Sequence, residues 1–290
     1  MSPIADQLLI FGCGFLGLRA ARLWLAEGGT VMAVTRNPAK AAQLQSHGIE
    51  PVLADLMQPE TLASLPRSTH VLYCVGFDRT SPWSKESLYL DGLTHVINAV
   101  AKDVQRFVYV SSSSVYHQDD GSWVDETSDT EPTSEGGRIC LAAEQRLRSR
   151  VEQATILRMS GLYGPERLLA RVDQLRANEP IGGNPEAWLN LIHGDDAARA
   201  CVAALKAAKP SPLYLVSDDR PHPRREYFTE LAQQVGAPPP VFSGASSSRH
   251  TADGLNKRCR NDKIKSELQL EWVYPDISRG LQPLTDRPDR

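Results

Sequence analysis

The sequence predicts an α/β fold in which a doubly wound parallel sheet of about seven strands is accompanied by a smaller C-terminal lobe. Two observations support this prediction. Short β-branched apolar runs alternate with segments of helical period over the first half of the chain, which is typical of βαβ units. The chain has 290 residues, enough for one such domain with an appended lobe.

The predicted elements alternate as far as Arg158. Strands are expected at Leu8–Phe11, Thr30–Thr35, Glu50–Leu53, His70–Val75, Gln105–Ser111 and Thr155–Arg158. Helices are expected between them, at Phe15–Glu27, Pro38–Ser46, Pro59–Leu65, Trp83–Ala101 and Glu135–Val151. A later apolar run, Leu213–Ser217, is expected to return to the sheet as its last strand.

The alternation ends after Arg158, where glycine-rich and proline-rich turns interrupt the chain. We therefore expect a main domain over residues 1–160, with 187–218 returning to it. The smaller lobe is expected from residues 161–186 and 219–290.

Charge and cysteine content exclude several classes of protein. The formal net charge is -3 with both signs scattered, so no basic stripe is available for nucleic acid or an anionic membrane. No signal peptide or membrane-spanning run is expected. The five cysteines form no C-x-x-C pair, so neither a metal site nor a disulfide framework is predicted, and a reducing cytoplasm fits best.

A glycine-rich turn, G-x-G-x-x-G, follows the first predicted strand and opens the first predicted helix. Gly12 permits the tight turn, Gly14 lets the backbone approach a pyrophosphate, and Gly17 lets the helix pack closely on the strand. The helix N-terminus, with Phe15 and Leu16 in its first turn, favours phosphate. This context predicts a Rossmann-type dinucleotide site rather than an ordinary βα turn.

The end of the second predicted strand indicates which dinucleotide is bound. NAD-specific folds carry an acid there for the ribose 2′-hydroxyl, whereas this chain has Thr35 followed by Arg36. An arginine can pair with a 2′-phosphate, so NADP(H) is favoured over NAD(H). The alternative is that Arg36 is a solvated surface charge.

Two further strand ends are predicted to line the same site. Asp55, followed by Leu56, is a candidate partner for the adenine amino group, although a turn or N-cap carboxylate is an equal alternative. Val75 and Gly76 follow the fourth predicted strand, where a residue without a side chain lets the backbone run beside the cofactor.

Four motifs in order resemble the extended short-chain dehydrogenase/reductases of the NAD-dependent epimerase/dehydratase type. They are Val108–Tyr116, Ile156–Pro165, Asn190–Ala198 and Asn261–Leu268. The resemblance implies a seven-stranded parallel sheet with a C-terminal substrate lobe. It also implies that Ser111 lies at the cofactor and that Ser112 is the serine that polarises the substrate oxygen.

The resemblance further implies a catalytic Tyr and a Lys four residues later on one helix face. Aligned on the flanking Pro132 and on Leu141–Glu144, these positions carry Gly136 and Cys140. We expect an apolar gap there and a weakened proton relay. Cys140 is expected to be a buried small side chain.

Four other side chains are candidates for the active site. Tyr116 could supply a phenol near Ser112, although a packing role is favoured. Arg138, Tyr163 and His193 are candidate substrate ligands, with a solvated arginine and a structural histidine as the alternatives. Three functions remain open. The first is an oxidoreductase or epimerase-like enzyme acting on a carbonyl or carbinol carbon, with a nucleotide sugar as a candidate, and the second is a non-catalytic NADP(H)-binding sensor. The third and more distant one is a reductase of enone-like or diffusible substrates in which solvent supplies the proton.

Overall fold

The computed structural model describes residues 6–100, 104–243 and 256–282. Its main sheet has seven strands, which we number in chain order and which are all parallel. Their spatial order is β7, β6, β5, β4, β1, β2, β3, which confirms the predicted fold class. The strands are Gln7–Phe11 (β1), Thr30–Thr35 (β2), Glu50–Leu53 (β3), His70–Tyr73 (β4), Arg106–Ser112 (β5), Ala154–Met159 (β6) and Leu213–Val216 (β7).

Nine α-helices lie in the described part of the chain. They are Phe15–Ala26 (α1), Pro38–Ser46 (α2), Lys85–Val100 (α3), Glu135–Arg148 (α4), Leu169–Arg176 (α5), Gly194–Lys206 (α6), Arg224–Gln234 (α7), Asp262–Leu268 (α8) and Ile277–Gly280 (α9). The predicted start of α3 at Trp83 is too early, because the Ser84 hydroxyl accepts a hydrogen bond from the Ser87 N–H and marks the helix start. The predicted end at Ala101 lies outside the described residues.

The helix expected at Pro59–Leu65 is instead a 3-10 segment, Pro59–Ser64. The Thr61 hydroxyl donates to the carbonyl oxygen of Gln58 at 2.7 Å, so a side chain uses an acceptor that a longer helix would need. Leu62 is its buried residue. The segment acts as a tight connection between β3 and β4.

Two apolar layers cover the sheet. One contains buried side chains of β1 and β2 together with residues of α1, α2 and α6, such as Trp24 and Leu44. The other contains the opposite faces of β1, β4 and β5 together with residues of α3 and α4, such as Val96 and Leu147. Helices therefore pack on both faces, as in a doubly wound sheet.

A separate apolar cluster lies in the region predicted as the smaller lobe. It includes Leu168 and Val172 from the segment around α5, and Tyr227 and Phe228 from α7. Three short ladders lie outside the main sheet, pairing Gly161–Tyr163 with Leu191–His193, Trp188–Leu189 with His222–Pro223, and Trp123–Val124 with Arg258–Cys259. The division into two units remains a prediction.

Candidate dinucleotide cleft and active site

A cleft of about 320 Å³ opens at the carboxyl ends of β1, β2, β3 and β4. The strand order reverses between β4 and β1, and such a switch point is where doubly wound sheets bind ligands. The lining residues are Phe11, Gly12, Cys13, Val34, Thr35, Arg36, Asn37, Lys40, Ala54, Asp55, Leu56, Val75, Gly76, Asp78, Ser81 and Leu88. Seven of the predicted cofactor residues are thus brought together.

The three glycines of the turn have three different environments. Gly12 has φ +90°, and a Cβ there would lie 2.5 Å from the carbonyl oxygen of Cys74. A Cβ on Gly17 would lie 2.6 Å from the carbonyl oxygen of Gly12. Apart from its own chain neighbours, no atom of the described chain lies within 4 Å of the corresponding position on Gly14. Gly12 and Gly17 are therefore needed by the fold, whereas Gly14 keeps open the space beside it.

The first turn of α1 retains its backbone donors. Gly14 is the N-cap of α1 and offers no side-chain oxygen to them, so the first N–H groups point to the space beside Gly14. Leu16 is buried in the core. Phe15 lies under the guanidinium of Arg19 at 3.9 Å from its ring centroid, so both predicted residues would meet a cofactor through their backbone.

Two cations, Arg36 and Lys40, and one carboxylate, Asp78, line the other end of the cleft. Arg36 is exposed at the end of β2, and Lys40 lies half-buried in the first turn of α2. The Thr35 hydroxyl accepts from the Asn37 N–H at 3.2 Å, and the Asn37 side chain caps α2 through Ala39 N–H at 2.9 Å. Lys40 was not predicted; its position four residues after Arg36, across a helix start, is the sequence signal that would have identified it.

The predicted adenine end combines apolar and turn residues. The Asp55 carboxylate accepts from the Met57 N–H at 2.9 Å, which is the turn role considered as its alternative, and the same residue lines the cleft. Leu56, Val75 and Gly76 are its neighbours on the cleft wall. Both roles of Asp55 are therefore compatible with its position.

A buried polar network lies behind the predicted serine segment. Ser111 donates to Glu144 at 2.6 Å, and the Glu144 carboxylate pairs with Arg158 at 2.7 Å. The Tyr116 hydroxyl accepts from Arg158 at 3.1 Å. Burial raises the pKa of Tyr116 to about 12, although Arg158 opposes the shift. These contacts support a packing role for Tyr116 and place the Ser111 hydroxyl inside the network rather than on the cleft wall.

The positions that the resemblance assigns to Tyr and Lys lie on α4 one turn apart. Cys140 is buried, and burial raises the pKa of its thiol, opposed only in part by the Lys85 ammonium and the Ser114 hydroxyl. A Cβ on Gly136 would lie 2.7 Å from Lys85 Nζ. The expectation of an apolar gap is wrong, because α3 directs an ammonium into this space. Ser112 is close by, with its Oγ accepting from the Ser114 N–H at 3.1 Å.

Two of the candidate substrate ligands have partners within the protein. Arg138 is exposed and donates from Nη1 to the carbonyl oxygen of Thr133 at 2.8 Å. Tyr163 is buried, and its hydroxyl donates to the carbonyl oxygen of Asp276 at 3.3 Å. Arg138 is thus the more accessible of the two.

His193 is held as a structural side chain. Its Nδ1 accepts from the Asp195 N–H at 3.3 Å and caps α6. The ring centroid lies 3.8 Å from that of Tyr274. Burial lowers the pKa of His193, opposed by the nearby Asp195 and Asp196 carboxylates. These contacts support the structural alternative for His193.

The part of the chain that the structure describes contains no cluster of three or more His, Cys, Asp or Glu side chains arranged to hold a metal ion. Over the same residues, no helix combines the length and the apolar character needed to span a membrane.

Comparison with known proteins agrees with the fold. Residues 8–216 match the model of the NAD dependent epimerase/dehydratase family. Protein YeeZ of Escherichia coli (strain K12) is 28% identical over 280 residues, which cover 93% of this chain and 97% of YeeZ. A conserved protein of unknown function from Silicibacter pomeroyi superposes with a TM-score of 0.79 at 28% identity, covering 97% of this chain and 98% of that one.

More distant structures share the fold. UDP-glucose 4-epimerase from Thermotoga maritima, solved with UDP-glucose, superposes with a TM-score of 0.80 at 17% identity and covers 97% of each chain. The family match extends from β1 to the last strand of the main sheet. The chain belongs to the NAD dependent epimerase/dehydratase family.

Proposed function

We propose that the protein binds NADP(H) in the cleft and is an oxidoreductase or epimerase-like enzyme acting on a carbonyl or carbinol carbon. The observation that carries the proposal is the shape of the phosphate turn: of its three glycines only Gly14 has open space at its Cβ position, where N–H groups of α1 without a side-chain cap can receive a pyrophosphate. Collision of a Cβ with neighbouring backbone explains why residues 12 and 17 are glycines, but it does not explain the glycine at position 14.

The preference for the 2′-phosphate rests on two cations. Arg36 and Lys40 both line the cleft, and each can form a charge-assisted hydrogen bond to phosphate. Lys40 lies in the first turn of α2, where the interaction of its positive charge with the helix dipole is unfavourable. Binding of an anion there would offset that cost, which supports NADP(H) over NAD(H).

The substrate is proposed to reach the cofactor beside Ser112. When bound, the nicotinamide supplies or accepts a hydride. Ser112 would polarise the substrate oxygen, and Arg138 is the accessible cation for an anionic substrate. A nucleotide sugar is a candidate substrate, since a neighbour in structure is an epimerase solved with UDP-glucose.

The same proposal covers organisation and location. Residues 1–160, with 187–218, would form the dinucleotide-binding domain, and 161–186 with 219–290 the substrate lobe. The separate apolar cluster of α5 and α7 supports this division. The five cysteines are free, which is consistent with a reducing cytoplasm.

The second candidate is a non-catalytic NADP(H) sensor, favoured by Gly136 and Cys140 in place of the usual pair. Two assays on the purified protein separate the candidates: oxidation of NADPH, followed by absorbance with carbonyl substrates, and product analysis of nucleotide sugars, because an epimerase returns its hydride to the substrate and consumes no NADPH. Turnover that falls on Ser112→Ala supports the enzyme, with Tyr116→Phe as the comparison for a buried hydroxyl. Tight NADPH binding without turnover of any substrate would favour the sensor.

A further inference from the structure

Lys85 is the one ammonium that the structure directs at the position of the missing catalytic pair among the described residues. It is the first residue of α3 and is half-buried. Its Nζ occupies the space above Gly136, 2.7 Å from where a Cβ would lie. A glycine at 136 therefore makes room for Lys85, and any larger residue would compete with it.

The surroundings of Lys85 connect it to both the cleft and the serine segment. Leu88, one turn along α3, lines the dinucleotide cleft. On the other side of Lys85 lies the Cys140 thiol. Burial raises the pKa of this thiol, and the Lys85 ammonium and a hydrogen bond with the Ser114 hydroxyl oppose that shift. Ser114 N–H in turn donates to Ser112 Oγ at 3.1 Å. Lys85 thus lies next to the Gly136 and Cys140 positions, on the helix that also carries the cleft residue Leu88.

Tyr89 orients the lysine from the same helix face. The two residues are four apart, and Lys85 Nζ lies 5.4 Å from the Tyr89 ring centroid, within cation–π range. The Tyr89 hydroxyl is hydrogen bonded to the backbone of Phe77, just after the cleft residue Gly76. Lys85 and Tyr89 therefore form a fixed ammonium–phenol pair on α3, opposite Gly136 and Cys140 on α4.

Stability does not explain this placement. Within the described chain Lys85 forms no ion pair with a carboxylate. It is also a cation in the first turn of a helix, where the helix dipole opposes positive charge. The contact with the Tyr89 ring is a cation–π contact. Neither an ion pair nor the helix dipole therefore accounts for the position of this charge.

We propose that Lys85 is the proton donor of this active site, oriented by Tyr89 and replacing the tyrosine of the usual pair. The inference rests on the proposed function. In carbonyl reduction, hydride from the dihydronicotinamide forms the new C–H bond as the C=O π electrons move to oxygen. That oxygen takes a proton from the Lys85 ammonium, which gives the alcohol, the oxidised dinucleotide and a neutral amine that solvent reprotonates.

The first test measures proximity without activity. Lysines are dimethylated with carbon-13-labelled formaldehyde, and the Lys85 resonance is assigned by its loss in Lys85→Arg. Addition of NADP⁺ should shift this resonance, whereas that of the exposed Lys209 on the connection to β7 should stay in place. An unmoved Lys85 resonance at saturating NADP⁺ overturns the proposal.

The second test separates proton donation from charge. Lys85→Ala should lower NADPH-dependent carbonyl reduction by about two to four orders of magnitude, while the NADPH dissociation constant changes less than about twofold. Added methylammonium should restore turnover, and tetramethylammonium, which has the charge but no proton, should not. Lys209→Ala, at the exposed connection to β7, is the matched control and should keep wild-type turnover.

The outcomes distinguish the two proposals. Unchanged turnover in Lys85→Ala, or rescue by tetramethylammonium as well, overturns the role of Lys85 while the enzyme and its cofactor site stand. A wild-type protein that binds NADPH but neither reduces a carbonyl nor epimerises a nucleotide sugar overturns the enzyme, and the assignment of Lys85 falls with it. Absence of NADPH binding overturns the cleft itself.

Discussion

Gly14→Ala is expected to separate cofactor binding from folding. Because no atom of the described chain other than its own chain neighbours lies within 4 Å of the new Cβ, the free energy of unfolding should change by less than about 1 kcal/mol. The methyl group would instead occupy the space of the pyrophosphate. Losing one charge-assisted N–H to phosphate hydrogen bond costs about 1.5–3 kcal/mol, so the NADPH dissociation constant should rise about ten- to 150-fold.

Gly17→Ala is the matched control, because the same methyl group would meet backbone. Its Cβ would lie 2.6 Å from the Gly12 carbonyl oxygen, and overpacking of this kind costs about 1–3 kcal/mol. NADPH fluorescence titration gives the affinities, and thermal melting followed by circular dichroism gives the stabilities. A Gly14→Ala protein that melts normally and binds NADPH like the wild type would refute the position of the phosphate site.

Three further predictions concern the rest of the site. Glu144→Gln should lower the free energy of unfolding by about 3–5 kcal/mol, because the buried Arg158 loses its counter-charge; a urea midpoint equal to that of the wild type would contradict this. Gly136→Ala should leave the free energy of unfolding unchanged or raise it by up to about 0.5–1 kcal/mol, since residue 136 lies within α4. The same change should lower the rate of carbonyl reduction, because the methyl group would displace Lys85. Wild-type turnover in this variant would argue against the position of Lys85 above Gly136. Burial raises the pKa of Cys13 to about 11, so at pH 8 only about one thiol in a thousand is ionised. Alkylation of Cys13 by iodoacetamide, followed by mass spectrometry, should therefore be slow in the folded protein and faster after unfolding. Rapid labelling of the folded protein would contradict this.

Most of the fold and the cleft follow from local pattern. The β1–turn–α1 unit is recognisable because the strand, the three glycines and the helix are contiguous, and parallel strands place their carboxyl ends at one edge. The return of Leu213–Val216 to the sheet was predictable because the segment is apolar throughout. Arg36 was identified by its position at a strand end, and this kind of signal needs no tertiary information.

The proton donor could not be found in the same way. Lys85 and Gly136 are far apart in sequence, and only the packing of α3 on α4 brings the ammonium into the space above the glycine. Sequence reasoning placed Cys140 and Gly136 correctly on one helix but predicted an empty apolar gap. For the same reason, restoring Gly136→Tyr with Cys140→Lys would place the phenol against Lys85 unless that residue were also shortened.

Helix α1, which follows the phosphate turn, also contacts two later regions of the chain. Arg19 bonds to Asp195 at 2.9 Å at the start of α6, in the segment predicted to return to the main domain, and forms an ion pair with Glu166, in the predicted substrate lobe. The Phe15 ring lies against Gly194, where a Cβ would approach it to 2.6 Å. The predicted phosphate turn is therefore connected through Arg19 and Phe15 to the residues that follow His193.

Binding of NADP(H) in the cleft through Gly14, Arg36 and Lys40 can be measured by parallel calorimetric titration of NADPH and NADH. NADPH should bind to the wild type more tightly than NADH. Replacement of Arg36 by aspartate should remove or invert that preference, and Lys40→Ala should reduce it, with NADH affinity little changed by Lys40→Ala. Equal wild-type affinities for the two dinucleotides, or a preference untouched by Arg36→Asp, would contradict this mode of binding.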